Sequence, residues 1–334
     1  MENDTRRGTP EPQAHGRPVA GADARTRPAR RRPGRVPAVL AAAAACLLAF
    51  PGAVPNTVGR LGSLLETFLP WLGLVVPVLL VVARARRSAV VMLMLLPAAC
   101  LWLGRYGGAP AAGGAPAYDI TVVQHNVSDE NSDPEGTART LRDARPQLIA
   151  LQELTRAALP AYRAALAPGH PHHAVHGTVG LWSAYPLRDV RPLDIRPPGF
   201  GTDWNRGLRA TAVTPYGEVA VLVAHLPSVR IGPTGLRSGP RDAGAALLGG
   251  AIAAEPAGRV IVLGDLNGTV EDRGLAPVTD RLGPAPAPLA FSWPAALPLA
   301  RIDQVLARTA AVVGISTLPR TGSDHLPVAA RIRM

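Results

Sequence analysis

Apolar residues are spread so unevenly along this chain that a single water-soluble core is a poor home for all of them. Three runs, Val36–Val54, Leu64–Ala83 and Ala89–Tyr106, each approach the roughly 20 residues that a helix needs to cross about 30 Å of hydrocarbon. Pro51, Pro70, Pro77 and Pro97 would break helices in water but are tolerated in a bilayer. Glu66 falls near one end of its run, where a carboxylate costs little. The pattern predicts three transmembrane helices within 36–106. A cleaved leader followed by two buried helices fits less well, because the first run begins late and lacks a convincing cleavage site.

Arginine orients these helices. All 35 basic residues are arginine; against 24 acids they leave a net charge of +11, of which residues 1–105 carry +9 and residues 106–334 only +2. The tail holds Arg6, Arg7, Arg17, Arg25, Arg27, Arg30, Arg31, Arg32 and Arg35, and the second loop holds Arg84, Arg86 and Arg87, whereas the first loop has only Arg60. Excess arginine marks the cytoplasmic side. The sequence therefore predicts a multi-pass cell-membrane protein with a cytoplasmic N-terminus and everything after Tyr106 outside. Residues 1–35 read as a disordered basic cytoplasmic tail, and 107–117, made of Gly, Ala and Pro, as a linker. A hydrophobic content of 47% excludes wholesale disorder. The two cysteines, Cys46 and Cys100, lie in apolar runs and exclude a disulfide-stapled fold for the polar part.

From Tyr118 the pattern changes to short apolar segments separated by turn residues. Asp119–Val127, Gln147–Leu154, Val179–Tyr185, Arg259–Leu263, Arg301–Leu306 and Val328–Ile332 read as strands, and Leu208–Val213 with Glu218–Ala224 as a hairpin around Pro215-Tyr216-Gly217. Thr137–Ala144, Arg156–Leu166 and Arg241–Ala254 suit helices. This alternation suggests an α/β sandwich with mixed sheets over 118–334. No Walker A sequence and no GxGxxG occurs.

Polar residues recur where these strands end, the position from which a side chain emerges at a sheet edge. They are Gln124-His125-Asn126, Gln152-Glu153, His225-Leu226-Pro227, Gly264-Asp265-Leu266-Asn267, Arg301-Ile302-Asp303 and Ser323-Asp324-His325. Each alone is compatible with a turn or a strand cap. The cluster His170, His172, His173 and His176 lacks a cysteine or a well-spaced acid to complete a transition-metal site, and His125 faces away from Asn126 in a strand.

The ordered set resembles the endonuclease/exonuclease/phosphatase superfamily, with Gly-Asp-Leu-Asn and Ser-Asp-His as its strongest elements. The resemblance covers about Tyr118–Met334 and implies a four-layer α/β/β/α, DNase I-like sandwich. It also implies Mg2+-dependent hydrolysis of a phosphoric ester or anhydride, with Mn2+ as the alternative ion. By the same resemblance Glu153, Asn126 and Asp324 are the metal residues. His325 is the general base or phosphate contact, oriented by Asp303. Asp265 positions or deprotonates the attacking water, while Asn267 and His225 donate hydrogen bonds to the phosphate. Arg209 stands where the family often places a phosphate contact. Ser128 replaces an acid that many nucleases of the family carry two residues after the asparagine.

The whole arrangement is similar to a narrower group, the VanJ-type membrane proteins of actinomycetes, associated with glycopeptide (teicoplanin) resistance. The expected partners are the lipid bilayer and a phosphorylated or lipid-linked small molecule such as a cell-wall intermediate. The near-neutral balance after residue 105 argues against a stable nucleic-acid partner. An extracellular nuclease or a sphingomyelinase-like phospholipase is the alternative.

Overall fold

The computed structural model describes residues 35–107, 116–283 and 289–334. The expected tail and most of the expected linker lie outside these residues. The first part is helical: α1 (Arg35–Ala49), α2 (Leu61–Thr67), α3 (Val75–Ala85) and α4 (Ala89–Tyr106). Among the described residues only α4 is long and apolar enough, as one helix, to cross a membrane. α1 is shorter, because Pro51 opens a separate 3-10 turn. The second apolar run does not form one rod. α2 meets the following helical stretch, Leu69–Ala85, at 69°, with Phe68 at the break and Pro70 just beyond it. The sequence suggests three straight spans; the structure has one, a bent pair and a short apolar helix.

The remainder is a sandwich. Its elements in chain order are β1 (Ile120–Asn126), α5 (Pro134–Asp143), β2 (Leu148–Gln152), α6 (Leu159–Leu166), β3 (His172–His176), β4 (Val179–Ser183), β5 (Leu187–Pro192), β6 (Gly207–Thr214) and β7 (Gly217–His225). There follow β8 (Arg230–Gly232), β9 (Gly235–Arg237), α7 (Gly239–Ala254), β10 (Val260–Asp265), α8 (Ala276–Thr279), β11 (Asp303–Arg308), β12 (Ala311–Thr317) and β13 (Val328–Arg333). One sheet has the order β12-β13-β1-β2-β4-β3 and the other β11-β10-β7-β6-β5. Both are mixed: β1–β2 and β7–β10 run parallel, and their neighbours antiparallel. The α/β sandwich of mixed sheets expected from the sequence is therefore present.

Alternation of side chains builds the layers. Ile120 and Val122, Leu148 and Ala150, Leu208 and Ala210, Val221 and Val223, and Ile261 and Leu263 all point into the core between the sheets. The intervening residues face the helices. Val123, Ile149 and Leu151 pack with Leu141, Tyr162 and Leu166 on α5 and α6. Leu222, Val260 and Val262 pack with Leu248 and Ile252 on α7. α5 starts where Asp133 caps Gly136 N–H at 2.8 Å with Pro134 at the first helical position.

The helical segment and the sandwich form one compact unit. Arg273 donates to Glu66 at 2.7–3.0 Å, and Trp71 Nε1 donates to the Leu299 carbonyl at 2.7 Å.

Candidate active site

The parity that fills the inter-sheet core also places the site. Continuing each inward-facing series to its strand end gives Gln124 and Asn126 on β1, His225 on β7, Asp265 on β10 and Asp303 on β11. All five are essentially buried. The strand register brings them level, with Asn126 beside Gln152, Asp265 beside His225, and Asp265 opposite Asp303. The polar cluster thus occupies the end of the inter-sheet core, at the carboxyl ends of both parallel pairs.

Direct contacts tie the two sheets together there. Asn126 Nδ2 donates to Glu153 Oε1 and to Asp265 Oδ2, each at 3.0 Å. His325 Nδ1 donates to Asp303 Oδ2 at 2.8 Å, and Gln124 Nε2 donates to Asp303 Oδ1 at 2.5 Å. His325 Nε2 lies 3.8 Å from Asp265 Oδ2, and His225 Nε2 lies 3.6 Å from the same oxygen and 3.8 Å from Glu153 Oε1. Ser323 Oγ donates to the Asn126 carbonyl at 2.7 Å and accepts His325 N–H at 3.0 Å, which fixes the last loop against the first strand. Glu153, just past β2, has φ 58°, a left-handed backbone unusual for this residue type.

Charge in this cluster is unbalanced toward the negative. Burial raises the Asp265 carboxylic acid above the ordinary range; His325 opposes the shift and Asp303 reinforces it. Burial is also the largest influence on His325 and acts downward, but Asp303, Asp265 and Asp324 prevail and raise it to about 10. His225 goes the other way: burial, Arg206 and His325 hold it well below its usual value, so its ring is neutral.

Several expected site residues meet here, and two stand apart. Asn126, Glu153, His225, Asp265, Asp303 and His325 are brought together. Asn267 lines the same cleft; its backbone N–H donates to Asp265 Oδ1 at 2.9 Å, and its side-chain amide donates to the Leu226 carbonyl at 2.9 Å. One of the two amide hydrogens expected to serve the phosphate is thus committed to the backbone. Asp324 is exposed at the rim, and its carbonyl accepts Ala295 N–H. Arg209 is not in the site. It faces outward, where Nε and NH2 donate to Glu255 at 3.1 and 2.9 Å and NH1 donates to Thr211. On β6 the inward series is Leu208, Ala210 and Ala212, so an odd-numbered arginine points toward α7.

Arg206 and Gln124 belong to the site; Arg206 was not singled out from the sequence, and Gln124 was noted at its strand end but given no role. Arg206 lies within 3.3 Å of the His225 ring and lines the cleft. A signal for each existed. Gln124 shares the face of Asn126, two residues away, and counting back along the hairpin from its turn pairs Arg206 with His225.

Among the described residues, Asp265, Asp303 and His325 offer ligand atoms within 4.8 Å of one another. Both oxygens of Asp303 are already occupied, by Gln124 and His325. The donor capacity lies with Glu153 and Asp265, whose carboxylates flank one asparagine amide. An oxygen-rich set with surplus negative charge fits a hard divalent cation. These groups floor a cleft of about 730 Å³. Its walls include Phe68, Ile231, Trp293 and Ile302.

Residues 123–325 match the model of the endonuclease/exonuclease/phosphatase family, and the chain belongs to it. No curated protein matches the chain. Among solved structures, sphingomyelinase C from Streptomyces griseocarneus is similar at 21% identity and a TM-score of 0.50, over 64% of this chain and 98% of that one. A humanized TDP2 from D. rerio is similar at 17% identity and a TM-score of 0.50, over 64% and 99%. A functionally unknown conserved protein from Enterococcus faecalis is similar at 14% identity and a TM-score of 0.50, again over 64% and 99%. These likenesses are of fold.

Proposed function

We propose that the chain is a membrane-anchored, metal-dependent phosphoesterase or pyrophosphatase acting outside the cytoplasm on a lipid-linked cell-wall intermediate. The observation that carries the chemistry is the meeting of Asn126, Glu153, His225, Asp265, Asp303 and His325 at one end of the two sheets. Glu153, with Asn126 beside it and Asp324 at the rim as a further carboxylate, would hold Mg2+ or Mn2+. A bound divalent ion supplies charge neutralisation for the phosphoryl oxygens and the leaving group. Asp265, raised by its burial, accepts a hydrogen bond from the attacking water and takes its proton. His325, held as the imidazolium by Asp303, donates from Nε2 to a phosphoryl oxygen. Neutral His225, Arg206 and the remaining Asn267 amide hydrogen donate to the others, where charge builds in the transition state.

The substrate class rests on different observations. Phe68, at the bend of an apolar helical pair, forms part of the cleft wall. The chain beyond residue 105 is nearly neutral, which disfavours duplex DNA. The arginine distribution, excess arginine marking the cytoplasmic side, supports an outer position for the sandwich. A role in glycopeptide (teicoplanin) resistance, as in the VanJ-type group, would follow from removing or remodelling a lipid-linked precursor. The apolar wall equally suits a phospholipid phosphodiester, which is the second reading.

The test is a Mg2+-dependent phosphate-release panel of prenyl pyrophosphates, lipid-linked wall precursors, phospholipids and DNA, with Asp265→Ala as control. Release from a lipid-linked phosphate by the wild type, abolished in Asp265→Ala, is expected. Release from DNA alone, or equal release by the variant, contradicts the proposal.

A further inference from the structure

The short helix α2 is gripped at both ends by the sandwich, at its start through α7 and at its end through the loop that follows β10. At its start, Arg60 NH1 donates to Asp242 Oδ2 at 2.5 Å. Asp242 also takes Arg241 Nε at 2.8 Å, and Arg241 in turn reaches the Asn267 carbonyl at 3.2 Å and Asp272 at 2.5 Å. At its other end Glu66, 4% exposed, accepts the backbone N–H and the guanidinium of Arg273. Arg273 NH2 also donates to the Pro51 carbonyl at 3.2 Å. Asp265 ends β10, and Asn267, Asp272 and Arg273 follow it within eight residues, so the hold on Glu66 and the catalytic loop are the same piece of chain.

Small residues let the surfaces approach. A Cβ on Gly62 would come within 2.5 Å of the Val54 carbonyl and 2.6 Å of Arg273. Gly59 and Gly235 meet backbone to backbone, where a Cβ on Gly235 would collide, and Gly59 accepts Leu236 N–H at 2.9 Å. A flexible tether would need none of this. What the grip positions is the bend. Immediately after Glu66 come Thr67 and Phe68, and both line the catalytic cleft together with Ile231, which is 72% exposed, and Trp293, which is 40% exposed. Exposed apolar side chains beside buried carboxylates make the cleft amphiphilic, with a charged floor and an apolar wall.

We propose that Phe68 is a specificity-determining residue that covers the apolar chain next to the substrate's phosphate, and that Glu66 and Arg273 are positioning residues that hold it there. The anchor is then a wall of the substrate cleft as well as a tether. This rests on the phosphoesterase reading for the identity of the charged group, but its test does not depend on turnover.

The test is equilibrium binding of two non-hydrolysable probes, octylphosphonate and methylphosphonate, to the full chain in detergent with Mg2+. The quantity read is the ratio of the two affinities. Wild type is expected to prefer the octyl probe, and Phe68→Ala to lower that ratio about tenfold. Glu66→Gln, or Arg273→Lys if the first does not fold, is expected to lower it in the same direction, whereas a purely structural contact would weaken both probes together. An unchanged ratio in Phe68→Ala, or no chain-length preference in wild type, overturns the proposal. Intact preference with no hydrolysis of any phosphate ester would instead sink the phosphoesterase reading alone.

Discussion

Asp303 is the residue through which the site sets its own protonation. One of its oxygens takes Gln124 and the other takes His325, so it cannot turn away from the imidazole. It is also the foremost of the groups that lift His325 to about 10 against the downward pull of burial. Replacing it by Asn removes the charge and keeps the shape. Asp303→Asn should cut kcat on the order of a hundredfold and move the alkaline limb of the pH–rate profile to lower pH. An unchanged limb in steady-state rates across pH would show that His325 is tuned by something else.

His125, one residue before Asn126, faces the opposite side of β1 and contributes to stability rather than chemistry. Its Nε2 lies 3.0 Å from Thr321 Oγ1, and burial, helped by His325, lowers its pKa to about 3. In the unfolded chain the same ring titrates near 6.5, so between these values the unfolded state binds the extra proton. Stability from this group is therefore complete above about pH 6.5 and falls by about 1.4 kcal/mol per unit as the pH drops toward 3. Asp265 and His225 also change protonation on folding in this range, so the quantity to read is the difference between wild type and His125→Gln in denaturant unfolding at a series of pH values, which should carry that slope.

At the scale of the element, side-chain alternation decided which expectations held. Gly-Asp-Leu-Asn and Ser-Asp-His, each alone compatible with a turn, were legible through the order of the whole set and its resemblance to a family's motifs. Arg209 was misplaced because only its neighbourhood in sequence was weighed. Its parity on β6, opposite to that of Leu208 and Ala210, sends it out to Glu255 at the end of α7. There it forms a buried pair, with side chains 7% and 2% exposed. Glu255→Ala should destabilise the fold by about 3–5 kcal/mol, read by thermal or chemical unfolding, because it strands a buried guanidinium. A loss below about 1 kcal/mol would mean that Asp189 and Thr211 satisfy the arginine without it.

Other elements left weaker traces. β3 is made of His172–His176, a stretch whose four polar-to-small residues around Val175 carry no strand alternation. It pairs only with β4 and is held as an edge by its neighbour. β5 and β12 are likewise edge strands with little burial, so hydropathy gave them no outline. The bend after α2 was invisible for another reason. Phe68 and Pro70 sit inside a continuous apolar run, and nothing local distinguishes a span from a broken pair. The distant Arg273 and Leu299 fix the break.

For the whole molecule, the consequence is that the helical segment and the sandwich are joined by ion pairs, a half-buried tryptophan hydrogen bond and a Trp71–Phe291 stack at 5.4 Å. The cleft then keeps one orientation to the apolar helices, and its phosphate-sized floor opens beside an apolar wall. That geometry supports the proposed substrate, whose phosphate lies next to a hydrocarbon chain.

The proposed chemistry requires that water break a phosphorus–oxygen bond at the strand ends. Turnover of a prenyl pyrophosphate by the full chain with Mg2+ in heavy-oxygen water tests this most directly, with the products read by mass spectrometry. The expected result is one heavy oxygen in the released phosphate for the wild type and no labelled phosphate from Asp265→Ala. Label in the prenyl alcohol instead, or the same labelling by Asp265→Ala, would contradict it.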